Sequence, residues 1–196
     1  KLNSESSLSY AYVNGKRVAR LKGEGYFQVS KDRKHPFVVQ VGNLNIEVLG
    51  TCFNVYSYEE NDFVETSLIE GSVRLYDSKS PSESFILKPS QKAIYSKNNG
   101  KISFHNTDNV KETAWTQNHL VFESEKLGSV FQKIERWYGV HIDLLCPEIA
   151  NDQISGSFKD EQLPYVMEAL KFQYGFNYEI TGNNVTINKS NQLKIK

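Results

Sequence analysis

The amino-acid sequence predicts an all-β N-terminal domain followed by a small α+β domain. Two observations support this fold class: short apolar runs separated by turn residues fill the first half of the chain, and two helical patterns with flanking strand-like runs follow. Many short strands with turns between them indicate a sandwich, a jelly roll or a short β-helical stack. We place the all-β domain at residues 1–106, a polar linker at 107–117, the α+β domain at 118–190 and a tail at 191–196.

Turn chemistry defines the strands of the first domain. Asn14-Gly15 lies between two strand-like runs and is the strongest short hairpin signal, because both residues tolerate positive φ. Gly42-Asn43 separates another pair of runs in the same way. The predicted strands are residues 10–13, 17–21, 26–29, 37–41, 44–49, 53–58, 63–69, 72–76, 85–88, 92–95 and 102–104.

The second domain contains an internal repeat of 36 residues, the separation between Leu127 and Leu163. Each of these leucines begins an apolar stripe at i, i+3, i+4, i+7 and i+11, which predicts a helix. We predict Ser124 as the N-cap of the first helix, and Gly139 and Gly175 as the residues that end the two helices. Flanking strands are predicted at residues 119–123, 140–144, 153–158, 176–180 and 185–187. The repeat predicts two βαβ units that pack into one domain, since neither unit covers its own sheet alone.

Charge argues against a nucleic-acid partner, and hydropathy shows no membrane-spanning run in this part of the chain. Lys+Arg and Asp+Glu both number 23, and the basic residues are scattered among the acidic ones. Nucleic-acid binding normally needs a basic surface, so we expect no nucleic-acid partner. No apolar run approaches the roughly 20 residues that span a bilayer. The chain begins at Lys1 without an initiator Met or a signal-type segment, and we interpret it as the soluble part of something longer or as a mature product.

No motif for catalysis or cofactor binding occurs in the sequence. The patterns GxSxG, HExxH and the P-loop are absent. Gly23-Glu24-Gly25 lacks the third glycine and the following helix of a phosphate-binding loop, so we interpret it as a turn at which two strands approach closely. We therefore expect a non-enzymatic protein that needs no cofactor.

Histidines and cysteines do not predict a metal site. His119 and His141 can approach each other within one domain, but no Cys, Asp or Glu lies at ligand spacing to either. We interpret all four histidines, which also include His35 and His105, as solvated or core-edge residues. Cys52 and Cys146 lack CxxC spacing, and we favour two buried free thiols over one long-range disulfide.

Two aromatic residues, Trp137 and Phe172, fall outside the apolar stripes of their helices. Either residue is an exposed anchor for a partner, since aromatic side chains supply interface hot spots, or it wedges against the β domain. Both interpretations remain open on the sequence. Tyr138 and Tyr174 lie on the stripes and are predicted to face the core.

Several separated motifs of the first domain resemble one protein family. They are GYFQV at residues 25–29, PFVV at 36–39, VLGTCFNV at 48–55, IEGSV at 69–73 and LKPSQKA at 87–93. In this order they resemble the FecR family of membrane-bound regulators of extracytoplasmic-function (ECF) sigma factors, except that Ser90 stands where the family usually has glycine. The motif residues with a structural role are Gly50, Thr51, Phe53, Asn54 and Gly71. Gly50-Thr51 permits a tight bend, and Phe53 and Val55 point to the same face of the next strand.

The second domain is similar to the C-terminal domain of Bacteroidetes-type FecR proteins. The similarity rests on Trp115, LVF at 120–122, IERWYGV at 134–140 and ISGSF at 154–158. That domain is related to the short N-terminal signalling domain of secretins and TonB-dependent transporters. The resemblance implies that this chain is the periplasmic region of a single-pass inner-membrane protein, with a cytoplasmic sigma-binding segment and one transmembrane helix N-terminal to it. It also implies that the signalling domain of an outer-membrane TonB-dependent transporter is the partner, and that the sigma factor is released after regulated proteolysis.

Two hypotheses of function follow. The leading one is a periplasmic sensor-transducer whose α+β domain binds the transporter by adding a strand to an exposed sheet edge. The candidate edges are residues 119–123, with His119 and Val121, and residues 185–187, with Val185 and Ile187. The alternative is a carbohydrate- or envelope-binding β module that uses Trp115 or Trp137 as a sugar platform.

Overall fold

Strands dominate the first part of the fold, and the chain divides into two units after Gln117. A computed structural model describes residues 1–189 of the protein. We call residues 1–117 the β unit and the described residues from Asn118 onward the α+β unit. The predicted all-β and α+β classes are confirmed.

The β unit contains ten strands and one short helix. They are β1 (Ser7–Val13), β2 (Lys16–Gln28), β3 (Phe37–Val41), β4 (Leu44–Val48), β5 (Cys52–Ser57), β6 (Phe63–Glu70), β7 (Val73–Asp77), β8 (Ser84–Leu87), β9 (Gln91–Ser96), β10 (Ile102–Asn106) and α1 (Asn109–Thr113), followed by a 3-10 turn (Ala114–Gln117). The Asn14-Gly15 hairpin is confirmed, since β1 and β2 pair antiparallel on either side of it.

One long strand, β2, joins the two halves of a curled sheet. Its first half pairs with β1 and β3, and its second half pairs with β5. The strand order is β10-β9-β6-β5-β2-β3-β4-β7-β8, with β1 beside β2. The two halves face one buried core to which both contribute, through residues such as Ile46 and Leu75 from one half and Phe53 and Leu68 from the other.

Contacts between side chains close the curled sheet. The end strands β8 and β10 meet through Phe85 and Phe104, whose ring centroids are 5.8 Å apart. The Tyr95 hydroxyl on β9 donates a hydrogen bond to Asp77 on β7 at 2.6 Å. Burial and this carboxylate together raise the pKa of Tyr95 to about 12. Tyr95 therefore stays a neutral donor at physiological pH and ties the two halves together.

The predicted turn at Gly23-Glu24-Gly25 is wrong, because β2 runs through it without interruption. The close approach of two chain segments at this point is present. Gly23 has φ +84, and a Cβ on it would lie 2.8 Å from the Cα of Ser6. Glycine permits both the positive φ and the contact, so the strand continues where a turn was expected.

Residues 107–117, predicted as a polar linker, fold as α1 and the 3-10 turn and belong to the β unit. Asp108 caps α1, since its side chain accepts the N–H of Val110 at 2.9 Å. Ala114 is buried. The segment is ordered by the contacts of Glu112 and Trp115 with the sheet, which its polar composition did not indicate.

The α+β unit contains five strands and two longer helices. They are β11 (His119–Lys126), α2 (Leu127–Tyr138), β12 (His141–Leu144), a 3-10 turn (Pro147–Asn151), β13 (Gln153–Lys159), α3 (Leu163–Tyr174), β14 (Phe176–Thr181) and β15 (Asn184–Lys189). The predicted tail, 191–196, lies outside the described residues.

Both predicted helices are confirmed, and so are the glycines that end them. Gly139 and Gly175 follow α2 and α3 in the left-handed conformation, each with φ +66. The predicted N-cap at Ser124 is wrong. Ser124 lies within β11 at φ +49, and Lys126 is the residue that precedes α2, without a side-chain capping bond.

Strand pairing in the α+β unit crosses between the two repeats. β11 pairs antiparallel with β13 in a two-stranded sheet, and β15 lies between β12 and β14 in a three-stranded sheet. Each helix therefore links a strand of one sheet to a strand of the other, and the two strands of one repeat do not pair. A single apolar core, which includes Val130, Val166 and Phe176, joins the two repeats.

Candidate functional site

The backbone of β11 forms the clearest candidate docking surface. The Asn118 carbonyl accepts the N–H of Asp160 at 3.0 Å. Hydrogen-bonded residues alternate along an antiparallel strand, so Leu120, two residues later, also bonds to β13. In an antiparallel ladder, alternate residues point their backbone groups in opposite directions. The backbone groups of His119 and Val121 thus face away from β13, along an edge that carries no further strand within residues 1–189. We call this the β11 edge.

Side chains along β11 alternate between the core and the surface. Leu120 and Phe122 are buried in the core of the α+β unit, whereas His119 and Val121 are half-buried on the opposite face. The regular edge ends at a β-bulge just after Phe122, where Ser124 takes positive φ. The β11 edge therefore offers one short, regular stretch at residues 119–122.

The second candidate edge, at Val185 and Ile187, is wrong. β15 is the central strand of its sheet, with β12 on one side and β14 on the other. Both side chains are fully buried. A strand with two neighbours has no backbone groups left for a partner, so these residues serve the core.

The structure separates the two off-stripe aromatic residues. Trp137 is half-buried and packs against the core of its own unit, while Phe172 on α3 is 93% exposed. Tyr165, also on α3, is 61% exposed and was not singled out from the sequence, although its spacing to Phe172 is the helical i, i+7. The alternative hypothesis needs exposed platforms. Of the two tryptophans that it invokes, Trp137 packs against the core, and the Trp115 indole N–H donates a hydrogen bond to Asn54.

The VLGTCFNV motif makes the bend between β4 and β5. Gly50 has φ +148, and a Cβ on it would lie 2.7 Å from the Cα of Lys31. The Thr51 hydroxyl donates to the carbonyl of Ser72 at 3.0 Å. Gly71 comes close to the same bend, since a Cβ there would lie 2.9 Å from the Gly50 carbonyl oxygen. Three backbone segments thus meet at a point that only small residues permit.

Phe53 and Asn54 of the same motif point to opposite sides of β5. Phe53 is fully buried and stacks on Phe27, with ring centroids 5.1 Å apart. Asn54 is also buried, but its side-chain amide is hydrogen-bonded to Glu24 and Trp115. The motif therefore supplies a core aromatic and a buried polar side chain in succession.

The histidines and cysteines of residues 1–189 are arranged neither as a metal site nor as a disulfide. His141 is exposed and lies between Glu135 at 3.0 Å and Asp143 at 3.2 Å, contacts that the sequence spacing did not reveal. No group of three or more His, Cys, Asp or Glu in residues 1–189 is arranged to hold a metal ion. Cys52 is half-buried in β5, Cys146 is buried in the α+β unit, and both are free thiols.

Two family models match the chain in the order of its two units. The model described as FecR protein matches residues 1–74, and the model described as FecR, C-terminal matches residues 119–187. The chain belongs to the FecR family. The β11 edge and α3 both lie within the FecR C-terminal match. The FecR family is a regulatory family of anti-sigma factors.

Solved structures agree with this assignment over nearly the whole chain. Two crystal structures of a candidate anti-sigma factor from Parabacteroides distasonis are similar to this FecR protein, each with a TM-score of 0.84 and 29% sequence identity. The alignments cover 96% of this chain and 89% and 88% of those chains. No curated protein matches the chain significantly. Within residues 1–189, every helix is too short or too polar to cross a bilayer.

Proposed function

We propose that this chain is the periplasmic sensor region of a transmembrane anti-sigma factor. It relays a signal from an outer-membrane TonB-dependent transporter to an ECF sigma factor. The full-length protein is anchored in the inner membrane, and the sigma factor binds a cytoplasmic segment that lies outside these 196 residues. Membership of the FecR family and similarity to a candidate anti-sigma factor support the sigma-factor end of this relay.

The observation that carries the transporter end of the proposal is the β11 edge. A strand from the transporter's signalling domain adds beside residues 119–122 and bonds to the outward backbone groups of His119 and Val121. Backbone bonds supply the affinity, and the half-buried side chains of the same two residues supply selectivity. Phe172 of α3 is proposed as a separate contact with the partner, since an aromatic side chain that is 93% exposed gains most when a partner covers it.

A proline substitution tests the docking mode directly. The purified chain is titrated by calorimetry with the signalling domain of the transporter encoded beside it. Val121→Pro removes one outward N–H without removing a bond to β13, and we expect it to weaken binding about tenfold or more, the equivalent of one lost hydrogen bond. Edge strands tolerate proline when the N–H faces solvent, so the fold is retained.

The matched control is Ser157→Pro on β13. Ser157 is paired with Val121 and has its backbone groups on the opposite edge of the same two-stranded sheet. Ser157→Pro leaves the affinity unchanged if the β11 edge is the docking site. Equal weakening by both variants contradicts docking at β11, and no binding by the unmodified chain contradicts the transporter end of the relay.

A further inference from the structure

Asn54 of the VLGTCFNV motif holds two distant segments of the β unit through one amide group. Its Nδ2 donates to one carboxylate oxygen of Glu24 at 2.8 Å, and its Oδ1 accepts the indole N–H of Trp115 at 3.2 Å. A carboxylate offers only acceptors and an indole only a donor, so a single orientation of the amide satisfies both partners. Asn54 is 3% exposed, and an amide that loses either bond there is left unsatisfied in the interior.

The second oxygen of Glu24 holds the beginning of the described chain. It accepts a hydrogen bond from the side-chain amide of Asn3 at 2.8 Å. The backbone of the same segment adds to β2, because the Asn3 N–H donates to the Glu24 carbonyl at 3.0 Å and the Tyr26 N–H donates to the Lys1 carbonyl at 2.9 Å. Ser6 accepts the Glu24 N–H at 2.8 Å. Residues 1–6 are therefore fastened to β2 around Glu24, and we call them the N-terminal segment.

Trp115 lies in residues 107–117, the segment that connects the β unit to the α+β unit along the chain. Glu112 of this connecting segment is bonded to Lys92 at 3.1 Å and accepts from Ser67 at 3.0 Å. Burial alone raises the pKa of Glu112, but the Lys92 ammonium and the hydroxyl donors outweigh it and hold that pKa below its usual range. Lys1 also donates from its side chain to the carbonyl of Thr116, so the two segments touch directly.

We propose that the row Asn3–Glu24–Asn54–Trp115 couples the N-terminal segment to the connecting segment, so that release of either one loosens the other. The amide of Asn54 is the shared element, since it cannot turn to follow Trp115 without breaking its bond to Glu24. Connected hydrogen bonds whose central members, here Glu24 and Asn54, are buried strengthen one another, and loss of one member weakens the rest. The coupling is a property of the β unit and does not depend on the identity of any partner. In the relay proposed above, it gives a route from the connecting segment to residues 1–6.

Hydrogen exchange on the full chain tests the coupling in both directions. Asn3→Ala removes one end of the row, and we expect the indole N–H of Trp115 to exchange about fivefold faster, the lower end of the usual range of coupling between two sites. Trp115→Phe removes the other end, and we expect a similar increase for the Tyr26 N–H. The two factors are equal if the segments share one coupling free energy, because coupling is reciprocal. The indole N–H of Trp137, in the other unit, is the internal reference for Asn3→Ala.

Two control variants separate coupling from general loosening. Glu5→Gln lies in the N-terminal segment and Val110→Ser in the connecting segment, both side chains are exposed, and neither belongs to the row. We expect both to leave the exchange of the other segment unchanged. The proposal is overturned if each row variant affects only its own segment, because the segments are then held independently. It is also overturned if exchange rises equally at Val39 in β3, which marks a global loss of stability. Asn3 is only half-buried, so Asn3→Ala decides the matter even if Trp115→Phe does not fold.

Discussion

The two repeats of the α+β unit share their interiors and differ on their outer faces. At the 36-residue offset, the buried stripes of α2 and α3 correspond, and each helix is followed by a left-handed glycine. On the outside, Ser129, Lys133 and Arg136 of α2 correspond to Tyr165, Ala169 and Phe172 of α3. Lys133 forms a 2.6 Å ion pair with Glu125, whereas Tyr165 and Phe172 are largely exposed.

This difference shows which positions the fold constrains. The buried stripe is set by packing, because both helices cover the same core. Packing does not set the outer face, because α2 has polar residues and α3 has aromatic residues at corresponding positions of the same fold. Tyr165 and Phe172 are exposed and do not cover that core, which is consistent with the proposal that Phe172 contacts a partner.

Matched substitutions in the shared core are expected to lower the stability most, and by equal amounts in the two repeats. Ile134 and Leu170 are corresponding residues and are both fully buried. Ile134→Ala and Leu170→Ala should each lower the free energy of unfolding by about 3 kcal/mol, through lost burial and a cavity. Urea denaturation of the two variants measures this. A loss in one repeat more than twice that in the other contradicts the view that the two stripes contribute equally to one core.

Substitutions at the helix ends should have a smaller and again equal effect. Gly139→Ala and Gly175→Ala place a Cβ in open space, so the cost is that of left-handed backbone alone, about 1 kcal/mol each. Gly156→Ala on β13 is the control, since its Cβ also meets open space but its φ is not positive. Thermal melts of all three variants test this, and an equal fall in Tm for Gly156→Ala would show that the positive φ is not the cause.

Substitutions that give α3 the outer residues of α2 should have the smallest effect on stability. Tyr165→Ser and Phe172→Arg give α3 the residues that α2 has at the corresponding positions. We expect the free energy of unfolding to stay within about 0.5 kcal/mol, because exposed positions away from the core tolerate substitution. Chemical denaturation of the double variant provides the measurement. A loss above about 1 kcal/mol would mean that Phe172 covers part of its own unit, so that the two faces differ for a structural reason.

Local features of the fold were predictable from the sequence, and long-range ones were not. The helices from Leu127 and Leu163 and the hairpin at Asn14-Gly15 depend on residues that are close in sequence, so periodicity and turn chemistry find them. The central position of β15 depends on its parallel pairing with β12, a strand that is distant in sequence and separated from it by α3. No local pattern distinguishes a buried central strand from an edge when both are short and apolar.

Within the candidate site, the strand edge was predictable from the sequence, but the exposure of the aromatic residues was not. His119 and Val121 were identified because the predicted strand at residues 119–123 was a candidate sheet edge, and the structure leaves their backbone edge open. Trp137 and Phe172 both fall beside a stripe, where a small rotation of the helix decides between core and solvent. Trp115 was assigned to a linker because its partner, Asn54, is 61 residues away in the chain.

The position of β15 has a consequence for the order in which the protein is made. β12 and β14 are joined only through β15, the last strand of the described chain, which pairs with both of them. The β unit has all ten of its strands once residue 106 has left the ribosome or the translocation channel. The three-stranded sheet of the α+β unit, in contrast, must wait until residues 184–189 have emerged. A nascent chain interrupted before that point displays a finished β unit followed by two helices and four strands that have no complete core.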